Sequence, residues 1–368
     1  MKYLHVLLLV VGLLLLIPQE QAFASTEKQK TYMGFTPWPY DLTEEAVDGT
    51  YDFILKNSNI IAHHFDNGVP WQQALDNRTY PKHLAQDWNN RRERTPDTHR
   101  IFLSLTPIGF DRSSLSPYWG ENGDNQPLPA AWKGKRFNDP EVKQAFLNYA
   151  LAAIGFFNPD YLAIGIESNI LITKTPDKWG DYLELNAYVY TELKKKYPDL
   201  PVFATVQYEH MRGIEDESKP NYSLQKPGVR NLMKHSDYLG LSTYRYGNLH
   251  PNPPKSDYFD EALAFGKPIA IAETGAMSKT TLVMGMPLLS NPKSQAKFIA
   301  MVMENAKQHN FAFVINWVGI DFDAMIPKLP KEARGIAKAW VHTGMLDKKK
   351  KKKKAFKIWR HYLSEFQK

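Results

Sequence analysis

The stretch PIAIAETGA, Pro268 to Ala276, decides how this chain is read. Small and apolar residues run from a proline at the entrance to a glutamate, a threonine and a glycine at the exit. Such a run reads as a buried strand bounded by turn residues. A carboxylate at the end of a buried strand is costly unless it is paired or used in chemistry. The rest of the chain decides between those alternatives.

Seven other runs have the same character: TYMGFTPW from Thr31, NIIAHHFD from Asn59, RIFLSLTP from Arg100, DYLAIGIES from Asp160, LPVFATVQY from Leu200, SDYLGLSTY from Ser236 and FAFVINWV from Phe311. Between them lie segments of helical period, among them those starting near Asp139, Trp179 and Asn291. The first and third open with Asp-Pro and Asn-Pro, residues suited to an N-cap and a first helical turn. Strand and helix alternating eight times predict the α/β class and a single (β/α)₈ TIM barrel over residues 31–366, a fold of ~250 residues before insertions. An open doubly wound sheet would carry a glycine-rich first turn, whereas the first strand here leaves through Thr36-Pro37-Trp38-Pro39-Tyr40. Residues 111–138, rich in Gly, Pro, Asn and Trp, read as a loop insertion after the third strand. Trp119 and Trp132 within it are expected to shape one end of a cleft.

Composition narrows the setting. The chain has 368 residues, no cysteine, and an aromatic share of 13%, which fits a large core and a ring-lined cleft equally well. Without cysteine there are no disulfides, thiolate metal sites or thiol nucleophiles. Residues 1–24 read as a secretory signal peptide: Lys2, an apolar run from Leu7 to Ile17, then Ala22-Phe23-Ala24, with cleavage expected after Ala24. The expectation is a secreted or periplasmic protein with no membrane span after cleavage. Much of the net charge of +7 comes from Lys348–Lys354. That run reads as a solvated loop, with association with an anionic envelope as the second reading. Nucleic acid is not expected as a partner.

In a (β/α)₈ barrel the C-terminal ends of the strands converge on one face, where sites are built. The exits here offer Trp38 from the first strand and His63, His64 and Asp66 from the second. The fourth offers Glu167, the fifth Gln207 and Glu209, and the sixth Tyr244. Glu273 comes from the seventh and Trp317 from the eighth. Glu167 and Glu273 are 106 positions apart (273 minus 167), which fits three strand-helix units. Strands four and seven face each other across such a mouth. Two carboxyl groups ~5 Å apart serve a retaining glycosidase, one as nucleophile and one as acid and then base.

On these residues the chain resembles the clan A glycoside hydrolases. The resemblance implies that Glu273 in IAETG is the nucleophile and Glu167 in GIESN the acid/base. It further implies that Tyr244 in LSTYRYG bonds the nucleophile and that Trp317 in INWVG floors a sugar subsite. DNGVPW (Asp66 to Trp71) and ESN are similar to arabinogalactan endo-β-1,4-galactanases. The implied activity is cleavage of β-linked glycosidic bonds in a poly- or oligosaccharide, without cofactor. Trp38, His64, Asp66, Asn169 and Gln207 are the further candidates for binding the sugar, and Trp71 is a candidate stacking surface. One departure stands out: most of the clan has asparagine directly before the acid/base, and this chain has Ile166.

The rival expectation is a catalytically retired barrel that binds carbohydrate at the cell envelope. A metal-dependent barrel hydrolase is disfavoured, because adjacent His63 and His64 on one strand point to opposite faces and cannot ligate one ion. Asp321 and Asp323, after the eighth strand, read as turn caps or as further contacts to substrate.

Overall fold

The computed structural model describes residues 30–214, 222–245 and 255–368. The signal-peptide reading of residues 1–24 lies outside the described residues. Each apolar run named above contains one strand of a parallel barrel. In chain order these are β1 (Tyr32–Phe35), β2 (Ile60–Phe65), β3 (Arg100–Leu105), β4 (Tyr161–Ala163), β5 (Val202–Gln207), β6 (Leu239–Arg245), β7 (Ile269–Ala276) and β8 (Phe313–Asn316). Each pairs with the next, and β8 returns to β1 from Tyr32↔Phe313 to Phe35↔Asn316, closing the ring.

Alternation along the strands builds two apolar layers. Ile60, Ala62, Phe102, Ala163, Phe203, Ala270, Phe313 and Ile315 fill the barrel interior. The Phe102 ring lies 4.8 Å from Phe313 and 5.7 Å from Phe203, centroid to centroid. These rings come from the entering halves of their strands, so they seal the N-terminal end of the barrel and leave the C-terminal mouth to polar side chains. The intervening residues, such as Ile61, Leu103, Leu162, Leu239, Ile271 and Val314, pack outward against the helices. Burying each large apolar side chain contributes about 1.5–3 kcal/mol.

The helices start where the local chemistry directs. Pro140–Phe157 and Pro292–Gln308 follow the Asp-Pro and Asn-Pro pairs. Asn291 Oδ1 accepts the backbone N–H groups of Lys293 (2.9 Å) and Ser294 (3.0 Å), and Ser294 Oγ accepts that of Asn291 (3.0 Å). This reciprocal cap satisfies donors that the first turn leaves open. The helix expected near Trp179 begins earlier, at Pro176, again with proline in its first turn. The last helix, Lys354–Phe366, locks onto the start of the chain through Trp359. Its ring lies 4.4 Å from that of Phe35, and its Nε1 donates to the Asn57 carbonyl at 2.8 Å.

Residues 111–138 carry a small hairpin, Tyr118–Gly120 with Gly123–Gln126. Trp119 and Trp132 are buried, and Trp132 stacks on Trp71 at 5.3 Å. These rings form a core beneath the loop, which corrects the expectation that Trp71 stacks on sugar.

The lysine run is an ordered turn. Asp347 Oδ1 accepts the backbone N–H groups of Lys349 and Lys351, each at 2.9 Å. Six of its lysines are exposed, but the Lys353 side chain is only 8% exposed, with Nζ 2.6 Å from Asp321 Oδ1. For Lys353 the solvated-loop reading is therefore corrected.

Candidate active site

Glu167 and Glu273 both reach the barrel mouth, and each needs a local irregularity to get there. Regular β4 stops at Ala163, short of the expected strand. The chain then bends through Gly165, where an added Cβ would lie 2.1 Å from the Tyr182 hydroxyl and 2.6 Å from Ser168 Oγ. Glu167 takes the left-handed conformation, φ 49 and ψ 40. Its backbone N–H donates to Thr205 Oγ1 (2.9 Å), and that of Ile166 donates to Thr106 Oγ1 (3.3 Å). Threonines at the ends of β3 and β5 thus hold the turn that presents Glu167.

Glu273 depends on a bulge. Ala270 and Ala272 face the barrel interior while Ile269 and Ile271 face out. Strict alternation would then turn Thr274 inward and Glu273 outward. The register breaks this pattern: Leu241 of β6 opposes Ile271, yet Ser242 opposes Glu273. On the other side, Val314 of β8 opposes Ile271 and Asn316 opposes Thr274. Strand β7 therefore carries one residue more than either neighbour. Such a bulge re-aims the side chains beyond it, and here it brings Glu273 to the mouth.

Arg112, from the loop after β3, binds the acidic groups together. Its Nη1 and Nη2 donate to Asp66 Oδ1 (2.9 Å) and Oδ2 (2.7 Å), and Nη2 also donates to Glu167 Oε2 (3.2 Å). Burial works against the guanidinium charge, but Asp66 and Glu167 outweigh it and raise its pKa. Glu273 is pushed well above the usual carboxylate range, first by burial and then by the charge of Glu167. Arg112 and a hydrogen bond from Tyr244 pull the other way. The two glutamates therefore sense each other directly.

Around this pair, His64 lies 4.0 Å from Asp66 Oδ2 and packs edge-on against Trp317 at 5.7 Å. Burial pushes His64 down to about 4 despite the pull of Asp66, so its ring is neutral at pH 7. Trp38 lies 5.7 Å from Trp317, and among the described residues the buried Nε1 atoms of both have no hydrogen-bond partner. Tyr244 is fixed from behind: its backbone N–H donates to Glu209 Oε2 at 3.3 Å. Glu209 is itself fully buried and accepts from Thr243, Tyr258 and Gln207. Asp66, Glu167, Glu273, His64, Tyr244, Trp38 and Trp317 thus belong to one connected cluster.

Two candidates fall outside it. Asn169 is fully buried, donating to the Gln207 carbonyl (3.1 Å) and Gln225 Oε1 (3.0 Å) and accepting from the Gln207 N–H (2.7 Å). Its amide pins the Glu167 turn to the end of β5 and, fully buried, is out of reach of sugar. Gln207 caps the short helix Tyr208–Arg212 through its Oε1 and donates its Nε2 to Glu209 (3.0 Å). Both are corrected from substrate-binding to scaffold residues. His63 points to the outer layer, bonded to Thr95 at 3.0 Å. Arg112 escaped sequence reasoning because a single arginine in a long loop carries no spacing signal.

Among the described residues, Asp321, Asp323 and His342 bring ligand-type atoms within 4.8 Å of one another. Lys353 supplies a cation there, 2.6 Å from Asp321, and Asp321 Oδ1 also accepts the Gly344 N–H at 3.0 Å.

No protein-family model and no curated protein matches the chain. Solved structures are similar to it in fold. The exo-β-1,4-mannosidase Op5Man5 from Opitutaceae bacterium strain TAV5 superposes with a TM-score of 0.61 at 14% identity, over 91% of this chain and 59% of that one. GH5_18 from Bifidobacterium longum subsp. longum ATCC 55813 gives 0.64 at 12% identity, over 92% and 80%. Xylanase 10B from Thermotoga maritima gives 0.58 at 13% identity, over 92% and 96%. The chain thus spans little more than half of the mannosidase and nearly all of the xylanase. At these identities the likeness establishes the (β/α)₈ barrel, the fold these glycosidases share.

Proposed function

We propose that this chain is a retaining glycoside hydrolase that cleaves β-linked bonds of a poly- or oligosaccharide. The observation that carries the reading is the meeting of Glu167 and Glu273 at one barrel mouth, through a strained turn and a strand bulge. Fold likeness to a mannosidase, a xylanase and other glycosidases supports it by analogy.

The charge count suits double displacement. Arg112 and Asp66 offset each other, which leaves Glu167 and Glu273 to share one proton. Glu167 holds that proton for the leaving group, while Arg112 makes its two shorter contacts to Asp66. Glu273, steadied by the Tyr244 hydroxyl, then attacks the anomeric carbon while Glu167 protonates the leaving oxygen. Glu167 next takes a proton from water to release the sugar. Trp38 and Trp317 offer aromatic faces for the ring.

Digestion of a panel of β-glycans tests the reading. Glu273→Ala should reduce turnover by roughly 10⁴-fold or more. Early product should retain its anomeric configuration by proton NMR, and an inverted product would overturn the assignment.

A second reading, a retired barrel that binds carbohydrate, draws on Arg112 seated against Glu167 and on Ile166 beside it. It expects saccharide binding unchanged in Glu167→Gln and no hydrolysis of any β-glycan. In either case the protein is exported, with cleavage after Ala24, and associates with an anionic envelope through the exposed part of Lys348–Lys354.

A further inference from the structure

After β7 the chain forms a second hairpin, Thr281–Val283 with Met286–Leu288. Its two-residue turn, Met284 at φ 46 and Gly285 at φ 86, has the left-handed backbone that a tight hairpin requires. Its apolar side chains divide between core and solvent. Val283 and Leu288 pack inward with Met277 and Ala339, against Trp340. Leu282, Met284, Met286 and Leu289 stand in solvent at 58%, 77%, 51% and 52% exposure. An exposed apolar cluster on one rigid projection marks a surface meant to be covered.

Its surroundings indicate what covers it. Between Glu273 and Glu304 there is no acidic residue, while Lys279, Lys293 and Lys297 are all exposed. The lysine turn is anchored at the same point as the hairpin. The His342 carbonyl accepts from the Ser278 N–H (3.0 Å) and hydroxyl (3.2 Å) at the hairpin base, and from Lys353 Nζ (3.1 Å) at the end of the lysine run. One carbonyl therefore ties the base of the hairpin to the end of the lysine run. Asp347, at the start of the run, is turned onto backbone N–H groups.

We propose that this hairpin and the Lys348–Lys352 ridge form one face that docks onto an anionic lipid surface, the tip entering the headgroup boundary and the lysines meeting the lipid charge. Leucine and methionine tips suit acyl chains, whereas sugar faces stack on aromatic rings. A second copy would bring the same cations against these, and four side chains on a narrow tip fall far below the ~800 Å² per partner of a stable protein interface. Lysines near an anionic bilayer each add about fivefold to binding and lose it with salt. The inference deepens the envelope association and is independent of the hydrolase reading, because it is measured without substrate.

The test is co-sedimentation of the chain from Ser25 onward, the mature form the cleavage site predicts, with vesicles of phosphatidylcholine with and without phosphatidylglycerol. Binding is expected only with phosphatidylglycerol and should weaken as salt rises. The double variant Met284→Ser, Met286→Ser should bind at least ~10-fold more weakly with unchanged thermal unfolding, because both side chains are exposed. The triple variant Lys348→Gln, Lys349→Gln, Lys351→Gln should lower binding roughly 100-fold. No binding to phosphatidylglycerol vesicles, or binding indifferent to both variants, would overturn the proposal. So would a dimer that the methionine changes abolish, which would assign the tip to a second copy, or retention on an acidic polysaccharide without retention on vesicles.

Discussion

Arg112 Nη2 stands 3.2 Å from Glu167 Oε2, and both residues lie in the left-handed backbone region, at φ 54 and φ 49. For residues with a Cβ that conformation costs about 1–2 kcal/mol each. Two unfavourable backbone conformations thus converge on one ion pair. In that pair Arg112 supplies positive charge to a barrel mouth that holds Asp66, Glu167 and Glu273.

Removing that charge moves the chemistry in a defined direction. Arg112 lowers the pKa of Glu273, which burial and Glu167 have raised. A nucleophile must be ionised, so the acidic limb of kcat/KM against pH lies above the ordinary carboxylate range in the native protein. Arg112→Met should move that limb to still higher pH and lower kcat/KM by roughly 10²-fold at pH 7. An unmoved limb in this variant would show that Arg112 does not act on Glu273.

The opposite shift is expected from Glu167→Gln. This change deletes the like charge that raises Glu273, so the acidic limb should move to lower pH. Substrates with good leaving groups, which need no proton from Glu167, should retain most of their turnover in the first step. Poor leaving groups should not. A pH profile superimposable on that of the native protein would mean that the two carboxyls do not interact.

The barrel was legible in the sequence because its signals are local and repeated. An apolar run such as RIFLSLTP or FAFVINWV specifies a strand from its own residues, and Asn291-Pro292 marks a helix start. The strand ends that carry Glu167 and Glu273 were legible for the same reason. How those side chains face inward was not, since the turn at Gly165 is set by the Tyr182 hydroxyl behind it, and the β7 bulge by the registers of β6 and β8. Asn169 misled because two residues of separation from a catalytic candidate suggested proximity to substrate. The turn instead sends its amide into the wall beside Gln207 and Gln225.

Glu273 should also leave a mark on stability. Its pKa is raised in the folded protein above the unfolded value of about 4.3. Above that value the unfolded chain releases the proton while the folded protein keeps it. The native state then binds more protons, and stability falls as pH rises until the folded pKa is passed. Glu273→Gln removes this burden. Its melting temperature should exceed that of the native protein by roughly 2 °C at pH 7, with the gap closing by pH 4. Differential scanning calorimetry at both pH values decides it, and a gap that does not vary with pH would contradict the burial of an ionisable Glu273.

Within one run of identical residues, Lys353 and Lys351 should behave as different amino acids. The Lys353 side chain is only 8% exposed, with Nζ 2.6 Å from Asp321 Oδ1 and 3.1 Å from the His342 carbonyl. Burial lowers its pKa, and Asp321 opposes that shift. Lys353→Met would leave the Asp321 carboxylate without its cation, with only the Gly344 N–H and His342 beside it, at a cost of about 3–5 kcal/mol. Lys351→Met, on the exposed side of the same turn, should change stability by less than about 0.5 kcal/mol. Urea unfolding of the two variants measures the contrast. The segment holding Asp321 and His342 follows β8, whose exit carries Trp317, so loss of the Lys353 contact should also weaken saccharide binding. Equal midpoints for the two variants would return Lys353 to the solvated loop that the sequence suggested.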